Sequence, residues 1–156
     1  MEFDGFTNLY LFLDHISIIM NTDTNKFVLY TDGGWKDGVG AYAFFLTKNG
    51  EPLASDSGKG LSTNNQCEYY ALINGLTIAS RYTDDFLCVS DSQLMINQVT
   101  GKWAVNDKAL QYLFKQVKVL ERAFTNINYE WRERCDPWIS KCDKMCDEAI
   151  KKELIT

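Results

Sequence analysis

The chain has 156 residues, which suits a single domain, and it contains no low-complexity tract of the kind found in disordered or fibrous proteins. Its net charge of −5 at pH 7 counts against a protein that binds nucleic acid through a broad basic surface. A cluster of metal-binding carboxylates remains compatible with that charge, because such a cluster lowers the net charge by itself. The five cysteines, an odd number, indicate reduced thiols and a cytoplasmic location.

Residues 1–24 are expected to form an N-terminal extension of unknown role, and residues 25–156 the domain. The extension contains an apolar stretch, Leu9–Met20, that is interrupted by Asp14. A bilayer-spanning helix needs about 20 apolar residues, and a signal peptide needs a basic start, which this segment lacks. We therefore expect a docked helix or strand and no membrane partner. Alternatively, Met20 is the natural start of the protein.

The first half of the domain alternates short apolar runs with turn residues, which is typical of a strand meander. The predicted strands are FVLYTD from Phe27, GVGAYAFFLTKNG from Gly38 and EPLASDSGKGL from Glu51. Asn49-Gly50 predicts a hairpin turn between the second and third strands. Apolar residues then recur at helical spacing over Ser62–Tyr82, which predicts a helix.

The second half alternates strands with helices. The predicted elements are a strand at Phe86–Val89, a helical segment at Ser92–Val99, a helix at Asn106–Phe124, a strand at INYEWRE from Ile127 and a final helix at Lys141–Leu154. A meander followed by strand–helix units predicts an α/β fold with a five-stranded mixed sheet flanked by helices. Its first three strands would be antiparallel and the later ones parallel, and ligands of such sheets bind beyond the carboxyl ends of the strands.

Four carboxylates follow or flank these elements. Asp32 and Asp91 each end a predicted strand, Glu68 lies near the start of the first long helix, and Asp147 lies on the last helix. A single acidic residue at such a position is usually a solvated surface group. Four carboxylates that converge would repel one another unless cations neutralise them, and oxygen ligands suit Mg²⁺ or Mn²⁺ better than zinc. Spacing alone does not show that the four converge.

The ordered motifs YTDGG, TNNQCEYYAL, SDSQL and CDEA resemble the type 1 ribonuclease H family, over Phe27–Leu154. The resemblance implies the ribonuclease H-like fold and a metal-bound quartet of Asp32, Glu68, Asp91 and Asp147, with Asp32 shared by two Mg²⁺ ions that Mn²⁺ can replace. It implies a monomeric endonuclease that hydrolyses the RNA strand of RNA–DNA hybrids. A two-metal-ion mechanism would leave 5′-phosphate and 3′-hydroxyl ends.

The resemblance also assigns a set of substrate-binding positions. They are Gly33, Thr63, Asn64, Asn65, Gln93 and Trp103. Amides and hydroxyls at these positions suit the 2′-OH groups by which a protein distinguishes RNA from DNA. For Thr63 and Asn64 the alternative is helix capping, and for Trp103 it is local packing.

The chain departs from the family before the last helix, where many members carry a histidine. Its only histidine is His15, which lies outside the matched region. Arg134 or Arg132 is the nearest substitute, and either could instead be a surface charge. Arg134 is farther from Asp147 than the family arginine is from the last aspartate, so we interpret the intervening CDPWISKC as a small insertion.

Two further features bear on ligands. Some members of the family have a lysine-rich insert at the position that follows Gly101, and this chain lacks it. Its absence predicts weak, salt-sensitive substrate binding with few phosphate contacts. Cys135, Cys142 and Cys146 lie close in sequence, but without a C-x₂-C pair they are expected to be plain thiols and not a zinc site.

The leading interpretation has two rivals. One is a catalytically silent module that binds hybrid or double-stranded RNA, which a complete carboxylate set disfavours. The other is a broader nuclease that also cuts double-stranded RNA.

Overall fold

The computed structural model describes residues 25–60 and 63–155 of the chain. The N-terminal extension, including the predicted docked segment at Leu9–Met20, lies outside the described residues. The strands are β1 Phe27–Lys36, β2 Val39–Lys48, β3 Glu51–Gly60, β4 Asp85–Ser90 and β5 Asn126–Trp131. The helices are α1 Asn64–Ala79, α2 Gln93–Val99, α3 Lys108–Glu121 and α4 Pro137–Ile155.

The five strands form one mixed sheet in the order β3-β2-β1-β4-β5, which places β1 at its centre. β1 and β2 are antiparallel, as are β2 and β3, whereas β4 runs parallel to both β1 and β5. The predicted fold class is therefore confirmed. The turn at Asn49-Gly50 is also confirmed, with positive φ angles of 51° and 79° that suit a tight hairpin.

Alternate residues of the central strand serve two cores. Leu29 of β1 packs with residues of α1, α2 and α3, including Leu72 and Val117, on one face of the sheet. Val28 and Tyr30 pack with the buried side of α4 on the other face. The two cores hold the helices against both faces of the sheet. The ends of the strands, which lie between these helices, are therefore held in fixed positions.

The two predicted boundaries that differ most from the structure are each wrong by four residues. β1 continues past Asp32 to Lys36, because its hairpin with β2 extends beyond its parallel pairing with β4. α4 begins at Pro137 and not at Lys141, and the Asp136 carboxylate accepts hydrogen bonds from the first backbone N–H groups of this helix. The segment interpreted as an insertion is therefore largely the first turns of α4.

Among the described residues, no helix is both long and apolar enough to cross a membrane.

Candidate active site

Three carboxylates converge where the parallel strands end. The last residue pair of β1 and β4 is Thr31 and Ser90, so Asp32 and Asp91 follow side by side on neighbouring strands. Glu68 enters from the first turns of α1. Among the described residues, Asp32, Glu68 and Asp91 each offer an oxygen within 4.8 Å of the other two, which is close enough for one cation to bind all three.

Gly33 allows this approach. A Cβ at this position would overlap the backbone nitrogen of Glu68 and the carbonyl carbon of Cys67. The backbone N–H of Gly33 also partly offsets the rise in the pKa of Glu68 that burial causes. The glycine after Asp32 is therefore a packing requirement, since any side chain would push α1 and its glutamate away from β1.

The cluster is deeply buried and electrostatically unbalanced. Asp32 is fully buried, and neither of its carboxylate oxygens has a hydrogen-bond partner among the described residues. Burial, reinforced by Asp91, raises the pKa of Asp32 to about 9. Burial and the charge of Asp32 likewise raise the pKa of Glu68 well above its usual range. Burying an unpaired carboxylate is energetically costly. This cluster therefore fits a divalent cation, which would neutralise the negative charges and bind the oxygens that have no hydrogen-bond partner.

Asp91 is contacted by the last residue of β5, Trp131, and by Arg134 in the segment that follows. The Nε of Arg134 donates to Asp91 Oδ2 at 3.2 Å, and the Asp91 side chain is only 10% exposed. The Nε1 of Trp131 donates to the Asp91 backbone carbonyl at 3.1 Å. Arg132 instead pairs with Glu130 and Asp136. Of the two arginines considered from the sequence, Arg134 is the one that contacts the carboxylate cluster.

Helix α4 contributes two carboxylates near the cluster. Asp143 and Asp147 both line a cleft that also includes Gly33, Asn64 and Arg134. The charge of Asp143 raises the pKa of Asp32, and Asp143 is half-buried whereas Asp147 is exposed. Asp147 is not part of the three-carboxylate cluster, so its predicted role as a metal ligand stays a prediction.

The predicted substrate-binding residues near this end of the strands differ in their exposure and in their contacts. Thr63 caps α1, with its hydroxyl accepting from the backbone N–H of Gln66 at 3.1 Å, as the capping alternative expected. Asn64, Asn65 and Gln93 are exposed at the first turns of α1 and α2. Trp103 is 47% exposed in the loop after α2.

The cysteines do not contribute to the candidate metal cluster in the described part of the chain. All five are free, and Cys142 and Cys146 are buried with their Sγ atoms 3.6 Å from the carbonyl oxygens of Tyr30 and Asp32. Burial raises the pKa of both thiols, so they remain protonated at neutral pH. They act as packing residues between α4 and β1.

Comparison with known proteins shows the family to which the chain belongs. A family model described as reverse transcriptase-like matches residues 31–136, which is more than half of the chain. The solved N-terminal RNase H domain of a Mycobacterium tuberculosis protein is 30% identical, with a TM-score of 0.77 over 83% of this chain and 96% of that domain. The chain belongs to the type 1 ribonuclease H family. The resemblance of the sequence motifs is thereby confirmed.

Solved ribonucleases H from other sources are also similar to the chain. The Halobacterium salinarum enzyme has a TM-score of 0.76 at 29% identity, over 81% of this chain and 98% of that structure. A ribonuclease H isolated from compost, solved in complex with an RNA/DNA hybrid, has a TM-score of 0.76 at 25% identity, over 83% of this chain and 99% of its own. A bifunctional M. tuberculosis protein is 33% identical over 80% of this chain, but the match spans only 35% of that protein.

Sequence reasoning missed three residues of this ribonuclease H site. Asp143 could have been found from the register of the buried residues Ile139, Cys142 and Cys146, which fixes the face of α4. Trp131 carries no local signal, because its hydrogen bond to Asp91 spans 40 residues. Trp35, which lines the same cleft as Asp143, lies between the first two predicted strands and was assigned to neither.

Proposed function

We propose that the protein is a metal-dependent endonuclease that hydrolyses the RNA strand of RNA–DNA hybrids. The observation that carries the proposal is the buried cluster of Asp32, Glu68 and Asp91 at the carboxyl edge of a ribonuclease H fold. Relatives named as ribonucleases H, one of them solved with an RNA/DNA hybrid, support the same substrate. The five free cysteines support a cytoplasmic location.

The metal requirement follows from the donor set. Asp32, Glu68 and Asp91 offer only oxygen, which favours Mg²⁺, with Mn²⁺ as a substitute, over zinc. Asp32, Glu68 and Asp91 would hold such ions, which would supply an activated water and a charge that stabilises the leaving oxygen. The two unpartnered oxygens of Asp32 support its role as a ligand.

A fourth carboxylate on α4 would complete the site, and we assign it to Asp143 in preference to Asp147. Asp143 is half-buried and its charge is felt by Asp32. It also lies nine residues after Arg134, closer to the spacing expected for the family than the thirteen residues to Asp147.

The protein's own residues would position the substrate around this cluster. Arg134 holds Asp91 in place and presents a positive charge to the phosphate on which hydrolysis occurs. The exposed amides of Asn64, Asn65 and Gln93 are available to hydrogen-bond sugars and base edges in the minor groove. Because α1 carries both the asparagines and Glu68, the same rigid helix would set the minor-groove contacts and the metal ligand in one register.

The silent-binder alternative gains no support from this geometry. A module that only binds nucleic acid derives no benefit from three mutually repelling carboxylates, two of which have raised pKa values. The site is also compatible with double-stranded RNA as an additional substrate, which the cleavage assay described next tests directly.

The proposal is tested with end-labelled RNA–DNA hybrid, double-stranded RNA and double-stranded DNA, each incubated with Mg²⁺, Mn²⁺ or EDTA. We expect cleavage of the RNA strand of the hybrid with either metal and none in EDTA, with 5′-phosphate and 3′-hydroxyl product ends. The Asp32→Asn protein, folded but inactive, is the control against a contaminating nuclease. Absence of hybrid cleavage by the folded wild-type protein with both metals would refute the proposal.

A further inference from the structure

An apolar groove runs between α1 and α3 on the solvent side of these helices, hereafter the α1–α3 groove. Its volume is about 440 Å³, and its lining includes Ile73 and Thr77 of α1 and Tyr112, Lys115, Val119 and Leu120 of α3. Ile73 and Leu120 pack against the core beneath them. The floor of the groove is therefore an outward continuation of the core.

Two side chains of α3 extend this apolar surface into solvent. Tyr112 is 67% exposed and Val119 is 57% exposed. They lie two helical turns apart, beside the buried stripe of Leu110, Leu113 and Val117 that faces the sheet. A helix that only covers a sheet needs one apolar stripe, so α3 has apolar surface left for a second contact.

The described part of the chain begins at the same end of the domain as the groove. Asn25 lines a small pocket with Asp85 and Asn128, near the starts of β4 and β5. α1 and α3 lead into these two strands, and Thr77 and Leu120 lie in the last turns of the helices. The residues that precede Asn25 therefore approach the domain beside the groove and at the end of the strands opposite the carboxylate cluster.

The stretch Leu9–Met20 suits the groove in composition and in reach. Nine of its twelve residues are apolar or aromatic, and an apolar stretch of this kind needs a surface that covers it. The five steps from Met20 to Asn25 span at most about 18 Å. A helix with its side chains is only about 10–12 Å across. The stretch can therefore pass the ends of the helices and lie along the groove.

The charges are complementary as well. Residues 1–25 contain four acidic residues and no lysine or arginine. Lys115 lines the groove, and Arg81 and Arg122 follow the ends of α1 and α3. Within the described ranges, none of these three basic residues forms an ion pair. The surroundings of the groove thus favour an acidic segment.

A second copy of the chain suits the groove less well. A stable interface between two proteins uses about 20–30 residues on each side. Far fewer residues line the groove. A segment of the same chain needs less contact, because its docking does not cost the translational and rotational freedom of a separate molecule.

We propose that Leu9–Met20 docks in the α1–α3 groove of its own chain, where its apolar side chains cover Tyr112 and Val119. The extension thereby stabilises the domain from the end opposite the carboxylate cluster, and His15 lies away from that cluster. The inference goes beyond the proposed function and does not depend on it, because the groove contains no residue of the candidate active site.

Hydrogen exchange of the full chain, measured by mass spectrometry, tests the docking. Peptides from residues 9–20 should exchange slowly in the wild-type protein and at the rate of an unstructured chain in Val119→Glu, which places a charge in the proposed contact. Tyr112→Glu should release the same peptides. Val119→Ile keeps an apolar side chain and should keep the slow exchange.

Leu154→Glu is the matched control. Leu154 is 50% exposed on α4, which packs against the opposite face of the sheet. A substitution at an uncovered surface position changes the melting temperature of a domain of this size by about 2 °C or less. Leu154→Glu should stay within that range and keep the slow exchange of residues 9–20. Val119→Glu should lower the melting temperature by more, because Val119 is covered in the docked protein.

Three results would overturn the proposal. The first is fast exchange of residues 9–20 in the wild-type protein. The second is slow exchange that neither Val119→Glu nor Tyr112→Glu changes. The third is slow exchange found only at concentrations where sedimentation equilibrium shows a dimer, which would assign the groove to a second copy. None of these measurements involves cleavage, so the proposed function is judged separately by the hybrid assay.

Discussion

The guanidinium of Arg134 donates through Nε to Oδ2 of Asp91 at 3.2 Å, across 43 residues of sequence. The contact links the segment after β5 to the carboxylate that follows β4. The Arg134 side chain is 66% exposed and Asp91 only 10%, so the arginine has one end on the cluster and the other toward solvent. This contact favours Arg134 over Arg132, which pairs with Glu130 and Asp136, as the residue that takes the place of the histidine carried by many family members.

Substitution of Arg134 should therefore affect turnover more than substrate binding. Arg134→Ala removes the partner that orients Asp91, and losses of this kind typically reduce activity roughly 10- to 100-fold. We expect kcat to fall by more than KM rises, because the lost contact acts on the reacting groups. Arg134→Lys should recover little, since an ammonium cannot reproduce the planar guanidinium donor. Steady-state kinetics on the hybrid measures both constants.

The pH profile provides the control for this prediction. Arginine stays protonated at any working pH, so wild-type activity should show no inflection near pH 6.5, the value at which an active-site imidazole would titrate. His15→Ala should leave kcat and KM unchanged. A slower His15→Ala enzyme combined with a normal Arg134→Ala enzyme would show that the N-terminal extension, and not Arg134, serves the site.

The raised pKa of Asp32 predicts how the stability of the metal-free protein depends on pH. An unfolded aspartate loses its proton near pH 3.9, whereas folded Asp32 retains it up to about pH 9. Between these values the folded state binds more protons than the unfolded state, so stability falls as pH rises. The melting temperature in EDTA should be lower at pH 8 than at pH 5, and Mg²⁺ should raise it at pH 8.

Asp32→Asn tests the origin of this dependence. Removing the buried charge should weaken the pH dependence of the melting temperature in EDTA and abolish cleavage. At pH 8 it should raise the melting temperature by a few degrees, which corresponds to roughly 1 kcal/mol in the free energy of unfolding. The stabilisation by Mg²⁺ should largely disappear. A variant that keeps the wild-type pH dependence and Mg²⁺ response would locate the metal away from Asp32. Circular dichroism melts with and without metal measure each quantity.

The sequence predicted the strands and the two strand-end aspartates well because their signals are local. A short apolar run that meets an aspartate specifies a buried strand without reference to the rest of the chain, whereas the end of β1 at Lys36 depends on its hairpin with β2. The start of α4 was missed because the long spacing between Arg134 and Asp147 led us to interpret CDPWISKC as an insertion, although proline is well suited to the first position of a helix. The exposure of Trp35 was unpredictable for another reason, since it depends on pairing with Gly40, which only the assembled sheet defines.

Gly33→Ala should damage the site through the backbone. The added methyl group would overlap the backbone at Cys67 and Glu68, which cannot move without displacing α1. We expect a destabilisation of about 1–3 kcal/mol or more, with weaker Mg²⁺ binding and lower kcat. Gly34→Ala is the neighbouring control, because its methyl group would meet only the side chains of Cys146 and Ile150, at 3.3 and 3.6 Å.

Urea unfolding of both variants separates these outcomes. Gly34→Ala should lose clearly less stability than Gly33→Ala and keep measurable Mg²⁺ binding. Equal losses would mean that the tight contact between Gly33 and α1 does not determine the position of Glu68.

The assignment of the α4 carboxylate leads to opposite expectations for two residues one helical turn apart. Asp143 and Asp147 share a face of α4, and both line the cleft that includes Gly33, Asn64 and Arg134, so sequence spacing alone does not choose between them. Of the two, Asp143 is the carboxylate whose charge is a main cause of the raised pKa of Asp32. Asp143→Asn should therefore reduce kcat at least about 10-fold more than Asp147→Asn does, a loss in the range seen when a group that supports a metal site is removed.

Metal-free stability provides a second measurement for this pair. Asp143→Asn should raise the melting temperature in EDTA at pH 8, because it relieves repulsion with Asp32, whereas Asp147→Asn should leave it nearly unchanged. Kinetics across a Mg²⁺ titration should show a higher metal requirement for Asp143→Asn alone. A larger loss of kcat and a higher metal requirement for Asp147→Asn would contradict this assignment. The fourth ligand would then be Asp147 of the CDEA motif, one turn further along α4, as the resemblance to the family implied.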